Sequence, residues 1–351
     1  MIFEKNIGLD IHGGNSCFVV NDRNGKILRR AKVKTTEREL LEFIRSEKGK
    51  KRLALEETSL SQWAYMLLRG EVDQIIVCNT SQRGRRQGPK TDFRDAYELA
   101  ELMRIDALKP VFHTADSKME LRVLVSSYVD LMQEIVRAKN RYKALFGREA
   151  KSETGACFYR DEGKIDSLGS EEKRFSARHL LEQIKLLEKH KEAYKERFIR
   201  NVRRFKEIRL LTGIPGIGPV FANQLVGAIV TPYRFPDKYS FFAYASLIKH
   251  IQWSDGKAYG KIKAHGRTQL KYIFRTAAQV VLRGKSSFRR KYDEMLENGY
   301  SEKSAKHAVI RRLASTVLGV WKSGEKYNDK LWEVQISKDC HRAEAVSLRA
   351  C

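Results

Sequence analysis

The first hundred residues alternate between short apolar runs with the period of a strand and amphipathic stretches with the period of a helix. The predicted strands are Lys5–Ile11, Ser16–Asn21, Ile27–Lys34, Arg52–Glu56 and Gln74–Cys78. Asn24–Gly25 is a hairpin signal between the second and third of these strands. The predicted helices are Glu39–Ile44, capped by Thr36, then Gln62–Arg69, and one that begins near Asp92. This order predicts a mixed sheet covered by helices.

After residue 120 the apolar positions follow alternating steps of three and four residues, which is the seam of a coiled coil. These positions are Leu121, Leu124, Tyr128, Leu131, Ile135, Ala138, Tyr142 and Leu145. A polar stretch with several glycines, Gly147 to Ser176, interrupts the pattern. A second seam contains Leu180, Ile184, Leu187, Tyr194 and Phe198, with Lys191 at one seam position. The two helices can pair within one chain, as a spacer, or between chains, as a dimer interface, and the pattern favours neither.

The last part of the chain, from about Ile208, is predicted to be mostly helical, with a glycine-rich entry and an irregular middle. The entry, LLTGIPGIGPVFANQLVGAI at residues 210–229, has the form of a helix end, a tight hairpin and a second helix. Gly216 and Gly218 would allow the backbone to approach a ligand closely, and the N–H groups that open the second helix can bind a phosphate oxygen. The stretch looks like a helix-hairpin-helix element, which binds nucleic-acid backbone. No motif follows Asn328.

Composition narrows the class of partner. The 351 residues include 68 Lys and Arg against 43 Asp and Glu, a formal net charge of +25. This surplus indicates a polyanionic partner, usually nucleic acid. No apolar run is long enough for a transmembrane helix, and the five scattered cysteines form no C-x-x-C pair. We therefore expect no membrane partner and a cytoplasmic protein with reduced thiols, associated with the nucleoid when it is bound to DNA.

Four carboxylates lie where predicted elements end or begin. Asp10 closes the strand in IGLDIHGG, Glu56 closes the strand in RLALEETS, and Asp92 and Asp95 lie three residues apart on one helical face. Each alone has an ordinary explanation, such as an acid in the first turn of a helix. Together they would repel one another unless a cation bound between them, and Mg²⁺ prefers such oxygen ligands. We interpret the four as a magnesium site that acts on a phosphodiester.

Positive charge surrounds these acids and a later serine. The run before Asp92 contains Arg83, Arg85, Arg86 and Lys90, which we expect to hold a phosphate backbone. Ser254 lies before an Asp-Gly turn, and no histidine is obviously its base, although His250 and His265 are nearby. The cations around it are Lys257, Lys261, Lys263, Arg267 and Lys271, interleaved with Trp253, Tyr259 and Tyr272. This stretch alone favours a turn serine with a local hydrogen bond over a nucleophile.

Five segments in order carry a resemblance to a known family. They are IGLDIHGG, ALEETS, KTDFRDA, IPGIGPVFANQL and WSDGKAYGKIKAHGRTQLK. From about residue 5 to residue 325 the chain resembles the insertion sequence 110 family of transposases, recombinases that also include the Piv-type DNA invertases. The specific combination is KTDFRDA after a strand aspartate, followed far downstream by PGIGP.

The resemblance implies a fold of class α/β plus α. It implies a RuvC-like, RNase H-type catalytic domain over residues 1–115, a coiled-coil segment over 116–206, a mainly helical transposase domain over 207–328 and a tail over 329–351. The implied metal site is the acidic tetrad Asp10, Glu56, Asp92 and Asp95, and the implied nucleophile is Ser254.

The resemblance also implies a reaction and its partners. Donor and target DNA would be cleaved through a covalent phosphoserine, exchanged and religated by a homo-oligomer, a dimer or a tetramer on DNA, whose active site is completed between protomers. A structured noncoding bridge RNA would guide the reaction by pairing with both DNAs, although no residue by itself indicates RNA.

Three alternatives stay open at this point. A RuvC-like endonuclease or junction resolvase would use water and no protein nucleophile. An actin-like or sugar-kinase-like ATPase would use GLDIHGGNSCFVV as a phosphate loop, but it needs a second glycine-rich loop, and no convincing one is present. A noncatalytic nucleic-acid-binding protein would use none of the acids for chemistry.

Overall fold

The computed structural model describes residues 4–79, 91–147, 156–159, 161–264 and 266–330. The chain divides into two compact units, Met1–Asp116 and Ser117–Cys351. The first unit contains β1 (Lys5–Ile11), β2 (Asn15–Asp22), β3 (Ile27–Lys34), α1 (Glu37–Ser46), β4 (Lys51–Glu56), α2 (Ser61–Leu68), β5 (Gln74–Cys78) and α3 (Asp92–Arg104). The predicted strands are therefore confirmed to within one residue at each end.

The five strands form one sheet in the order β3-β2-β1-β4-β5. The pairs β1–β2 and β2–β3 are antiparallel, whereas β1–β4 and β4–β5 are parallel. Antiparallel neighbours are joined by short turns, including one with Gly25 at φ +90°, while each parallel connection carries a helix. The prediction of a mixed sheet is confirmed.

Helices cover both faces of this sheet. One face packs against α1 and α2, because alternate strand residues such as Leu9, Phe18 and Leu55 form a buried cluster with Leu40 and Ile44. The opposite face packs against α3, where Ala54 and Val19 lie in clusters with Leu99, Met103 and Ala96. The sheet is therefore enclosed between two helical layers.

The second unit begins with a pair of long helices. They are α4 (Glu120–Leu145) and α5 (Glu171–Arg204). Leu131, Ile135 and Ala138 of α4 form one buried cluster with Leu181 and Ile184 of α5. The two predicted seams are thus filled by pairing within the chain, and the homo-oligomer stays a prediction. Val125 and Leu181 are more deeply buried than the predicted Leu124 and Leu180, because a straight helix drifts from a strict heptad repeat.

The predicted end of the interruption between the two long helices, at Ser176, is wrong. Helix α5 begins at Glu171, not after Ser176, because the Ser170 hydroxyl accepts a hydrogen bond from the Lys173 N–H at 3.2 Å. Although the connecting segment is mostly polar, two of its residues, Ile165 and Leu168, are buried against the helix pair.

The remaining elements of the second unit surround its largest core. They are α6 (Lys206–Leu211), α7 (Pro219–Ile229), α8 (Lys238–Tyr244), β6 (Lys249–Ser254), β7 (Lys257–Lys263), α9 (Thr268–Val281), α10 (Ser287–Glu297) and α11 (Glu302–Ser323). The predicted mainly helical character is confirmed, but the irregular middle proves to be the β6–β7 hairpin. None of the described helices combines the length and apolarity that a membrane span requires.

Candidate functional site

Asp10 and Glu56 end two neighbouring parallel strands on one face of the sheet. Leu9 of β1 is opposite Leu55 of β4, so the next residue of each strand is an acid. Leu9 and Leu55 pack toward α1 and α2. Because successive side chains of a strand point to opposite faces, Asp10 and Glu56 point to the face that α3 covers.

Helix α3 lies unusually close to this face because β1 contains Gly8. A β-carbon on Gly8 would lie 1.8 Å from the carbonyl oxygen of Ala96 and 2.6 Å from the amide nitrogen of Ala100. Any side chain at position 8 would therefore push the helix off the strand. Gly8 was not predicted from the sequence, although it lies two residues before Asp10 and this spacing places both residues on one face of the strand.

The first turn of α3 carries the other two acids. The Thr91 hydroxyl caps the helix by accepting a hydrogen bond from the Arg94 N–H at 3.3 Å. Asp95 is buried with an exposed fraction of 8%, whereas the side chain of Asp92 is about half exposed, at 48%. The Asp92 side chain is therefore accessible from solvent.

The structure brings Asp10 and Asp92 together and adds a residue that the sequence analysis missed. One ligand atom each from Asp10, His12 and Asp92 lies within 4.8 Å of the others. The His12 Nε2 lies 3.1 Å from Asp10 Oδ2. Position 12 is two residues beyond Asp10, and this spacing along an extended strand was the signal for a shared face.

Charge around Asp10 is unfavourable without a cation. Burial raises the pKa of the Asp10 carboxyl, and the nearby negative charges of Asp95 and Asp92 raise it further, although His12 opposes them. Glu56 lies outside the close group of three but ends the neighbouring strand on the same face. These residues offer the carboxylate oxygens that a hard divalent cation prefers, so the donor set fits a metal.

A row of paired positions extends the site across the sheet. Cys17 of β2 is opposite Asp10, and Lys32 of β3 is opposite Cys17. The Lys32 ammonium lies 3.6 Å from Asp92 Oδ2. Burial raises the pKa of the Cys17 thiol, and the charge of Asp92 raises it further, so this thiol is protonated and unreactive at neutral pH.

The glycine hairpin between α6 and α7 is present, but its two glycines differ. Gly216 has φ +78°, and a β-carbon there would lie 2.8 Å from the carbonyl oxygen of Ala277 in α9. The identity of Gly216 is thus explained by internal packing. Gly218 has open space around it and is followed by Pro219 at the start of α7. Phosphate binding at these positions stays a prediction.

Ser254 ends β6 at the tip of the exposed hairpin. Asp255 and Gly256 both have positive φ, 49° and 70°, as a tight two-residue turn requires. Ser254 is exposed, and its hydroxyl makes no hydrogen bond to a described residue. The local hydrogen bond that we expected of a turn serine is therefore absent among the described residues, and His265 lies outside them.

Exposed cations and aromatic rings flank this serine. Trp253 and Tyr259 are about two-thirds exposed, at 64% and 65%. Lys257, Lys261, Arg267 and Lys271 make no ion pair within the described part of the chain. The Lys263 side chain and residues Arg83, Arg85, Arg86 and Lys90 lie outside it, so their predicted contacts with nucleic acid stay predictions.

Besides Lys271, which was predicted, α9 and α11 carry further cations that were not predicted from the sequence: Arg275, Lys303 and Arg311. A cleft of about 400 Å³ between these helices is lined by Arg275, Lys303 and His307, among others. Partial burial lowers the pKa of the His307 imidazole, and the positive charges of Arg311, Lys271, Lys303 and Arg275 lower it further. Those four cations have no ion-pair partner among the described residues. Their spacing of three to four residues along each helix places them on one helical face and could have predicted this basic surface.

Two family models match the chain. A transposase model whose name specifies the DEDD type of IS110 matches residues 7–148, and the model of the transposase IS116/IS110/IS902 family matches residues 208–293. No curated protein matches the chain. The first match contains the four acids, and the second contains the glycine hairpin and Ser254. The chain therefore belongs to the IS110 family of transposases, which are enzymes that act on DNA.

Proposed function

We propose that this transposase uses a divalent metal, Mg²⁺, held by Asp10, Glu56, Asp92 and Asp95. The observation that carries the proposal is the convergence of Asp10 and Asp92 within one group of ligand atoms. The register of β1 and β4, which sets Glu56 beside Asp10, supports it, as does the DEDD type of the matching family. When bound, the metal would polarise a phosphodiester and neutralise charge on its oxygens.

We assign the first unit to the RNase H-like, RuvC-type folds. The support is a sheet of three antiparallel strands followed by two parallel ones, with helices on both faces. The division of the second unit into a coiled-coil segment over 116–206 and a transposase domain over 207–328 is part of the same proposal. The close pairing of α4 with α5 supports the helical segment.

Ser254 is the proposed nucleophile. Its hydroxyl oxygen would form a bond to the phosphorus of a DNA phosphodiester, and the bond from phosphorus to one DNA oxygen would break. The hydroxyl proton leaves the serine, and the departing DNA oxygen takes up a proton. Exposure of the hydroxyl, its position at a hairpin tip and the unpaired cations around it support this role.

The proposed partners are donor and target DNA and a structured noncoding guide RNA, bound by a homo-oligomer. Cations of the β6–β7 hairpin and of α9 and α11 support a phosphate backbone as ligand, since they lack ion-pair partners among the described residues. They are Lys257, Lys261, Arg267, Lys271, Arg275, Lys303 and Arg311. The guide RNA and the oligomer rest on the family resemblance alone.

A second candidate is a RuvC-like nuclease that activates water. One observation favours it: the Ser254 hydroxyl has no hydrogen-bonded base among the described residues. In that case the acids of the first unit would carry the chemistry, and Ser254 would be an ordinary residue of the hairpin.

A covalent-adduct assay separates the two candidates. The full chain would be expressed with its native flanking DNA and incubated with Mg²⁺ and labelled donor and target DNA, then resolved on a denaturing gel. The serine mechanism predicts a protein–DNA adduct from the wild type and from the control Ser126→Ala, an exposed serine of α4. It predicts no adduct from Ser254→Ala.

The companion variant Asp92→Ala is expected to abolish both cleavage and adduct. Cleaved ends without any adduct, formed equally by Ser254→Ala, would overturn the serine mechanism and favour the nuclease. Cleavage that survives Asp92→Ala would instead overturn the metal site.

A further inference from the structure

The His12 side chain lies beside the proposed metal ligands and has no role in the reaction described so far. We propose that His12 is a further ligand of the divalent metal and shifts the preference of the site from Mg²⁺ toward Mn²⁺. The inference rests on the proposed metal site and adds a nitrogen donor to its carboxylates.

The distances suit two ligands of one ion. In an octahedral site with metal–ligand distances of 2.0–2.1 Å, adjacent ligand atoms are about 3.0 Å apart and opposite ones about 4.2 Å apart. The His12 Nε2 and Asp10 Oδ2 are 3.1 Å apart, and the ligand atoms of Asp10, His12 and Asp92 all lie within 4.8 Å of one another. The His12 and Asp10 atoms therefore have the separation of adjacent ligands of one ion, and the Asp92 atom lies within 4.8 Å of both.

The backbone of His12 is anchored, so the imidazole is held at the site. The Thr35 hydroxyl donates a hydrogen bond to the His12 carbonyl oxygen at 2.6 Å. The Thr35 N–H donates to the Gly14 carbonyl oxygen at 3.1 Å, so both ends of this short turn are fixed. The ring itself is exposed, with an exposed side-chain fraction of 59%, and can turn onto an ion without disturbing the core.

A nitrogen donor changes which metal the site prefers. Mg²⁺ is a hard ion that takes oxygen ligands, whereas imidazole best suits Zn²⁺, Cu²⁺, Fe²⁺ and Ni²⁺. Mn²⁺ accepts carboxylates as Mg²⁺ does, and it also belongs, at the weak end, to the first-row series of metals that bind nitrogen donors. A site with carboxylates and one imidazole should therefore prefer Mn²⁺ over Mg²⁺ more strongly than a site with carboxylates alone. Even residues that only support a ligand cost 10–100-fold in metal affinity when they are removed, so loss of a direct ligand should cost about tenfold or more.

The test uses full-length protein and Mn²⁺ as the probe, with no DNA cleavage involved. Pulsed electron paramagnetic resonance of the bound ion reports a directly coordinated nitrogen through its ¹⁴N coupling. We expect this coupling in the wild type and in the control His190→Gln, an exposed histidine of α5. We expect it to vanish in His12→Gln.

Calorimetric titration supplies the second readout. His12→Gln should weaken Mn²⁺ binding about tenfold and change Mg²⁺ binding less than about twofold, in line with the loss of a nitrogen ligand. Bound Mn²⁺ without ¹⁴N coupling in the wild type, or equal losses for both metals in His12→Gln, would overturn the role of His12.

Asp10→Ala separates this inference from the proposed function. If that variant loses Mn²⁺ binding while the wild type shows no ¹⁴N coupling, the acidic site stands and only the histidine ligand is wrong. If Mn²⁺ binding is unaffected by Asp10→Ala, or absent from the wild type, both ideas are wrong.

Discussion

A β-carbon at position 8 would lie 1.8 Å from the carbonyl oxygen of Ala96, which is far inside any contact that a folded chain tolerates. At the residue scale, the proposed metal centre therefore depends on a position that carries no side chain. The sequence indicated the acids because strand ends and helix starts are readable from apolar periodicity. Gly8 and His12 were not predicted. Their spacing of two residues from Asp10 indicates a shared face of the strand, but how closely α3 and its acids approach that face depends on packing, which spacing does not encode.

Gly8→Ala is expected to destabilise the first unit and to remove metal binding. The added methyl group meets backbone atoms rather than a flexible side chain, so α3 must move, at a cost of roughly 2 kcal/mol or more. Urea unfolding and Mn²⁺ titration would measure both effects. Gly14→Ala is the matched control, because a β-carbon there has nothing within 4 Å. Equal behaviour of the two variants would contradict the proposed packing requirement.

Asp10→Asn is expected to stabilise the metal-free protein at neutral pH. Burial and neighbouring carboxylates raise the pKa of Asp10 in the folded state. Ionisation of Asp10 at pH values above its ordinary pKa of 3.8 therefore lowers the free energy of unfolding. The gain from the substitution should shrink as the pH falls toward that value. Thermal unfolding in a chelator at several pH values measures it. A gain that grows as the pH is lowered would contradict the assigned direction.

At the element scale, the start of α3 determines where two of the acids lie, and the start of α5 is one of the boundaries that the sequence did not predict. The start of α3 was predicted near Asp92, and the structure confirms it and adds Thr91 as the cap. The start of α5 was missed because Ser170 lies among glycines and charges that are typical of a loop. The β6–β7 hairpin was missed although Ile251 and Trp253 alternate with polar residues, because nearly all of its side chains are exposed and the alternation is short.

Thr91→Ala is expected to lower stability by about 1 kcal/mol and also to weaken metal binding, since the cap fixes the first turn that carries Asp92 and Asp95. Thr36→Ala is the matched control, because Thr36 caps α1 with the same hydrogen-bond length, 3.3 Å, away from the acids. The control should lose similar stability and keep its Mn²⁺ affinity. Equal losses of metal affinity would show that general loosening, rather than the position of the acids, is responsible.

At the scale of the whole molecule, the net charge of +25 predicted a polyanionic partner, and the family matches now make that partner DNA. Charge alone could not show which cations are available. Many basic side chains of this chain are neutralised internally, as Lys195 is by Glu192 at 2.8 Å. Lys271, Arg275, Lys303 and Arg311 near His307 lack such partners among the described residues, and this distinction needs coordinates.

Lys303→Gln and Arg275→Gln are each expected to weaken DNA binding uniformly across sequences. Each should lower the slope of log affinity against log salt by about 1, because one phosphate contact releases about one counterion. Fluorescence anisotropy at several salt concentrations measures the slope. Lys195→Gln, which removes a cation already paired with Glu192, should leave it unchanged. Three identical slopes would mean that the cleft between α9 and α11 does not contact the backbone.

The close approach of α3 to β1 also bears on how copies of such an element decay. As such copies accumulate substitutions, one judged only by its four proposed metal ligands could be counted as intact without being functional. A copy with Ser or Ala in place of Gly8 would keep Asp10, Glu56, Asp92 and Asp95, yet the helix that carries two of them would no longer fit against the strand that carries the first. An inventory of functional copies should therefore read the glycine together with the acids, because at this position inactivation leaves the catalytic signature untouched.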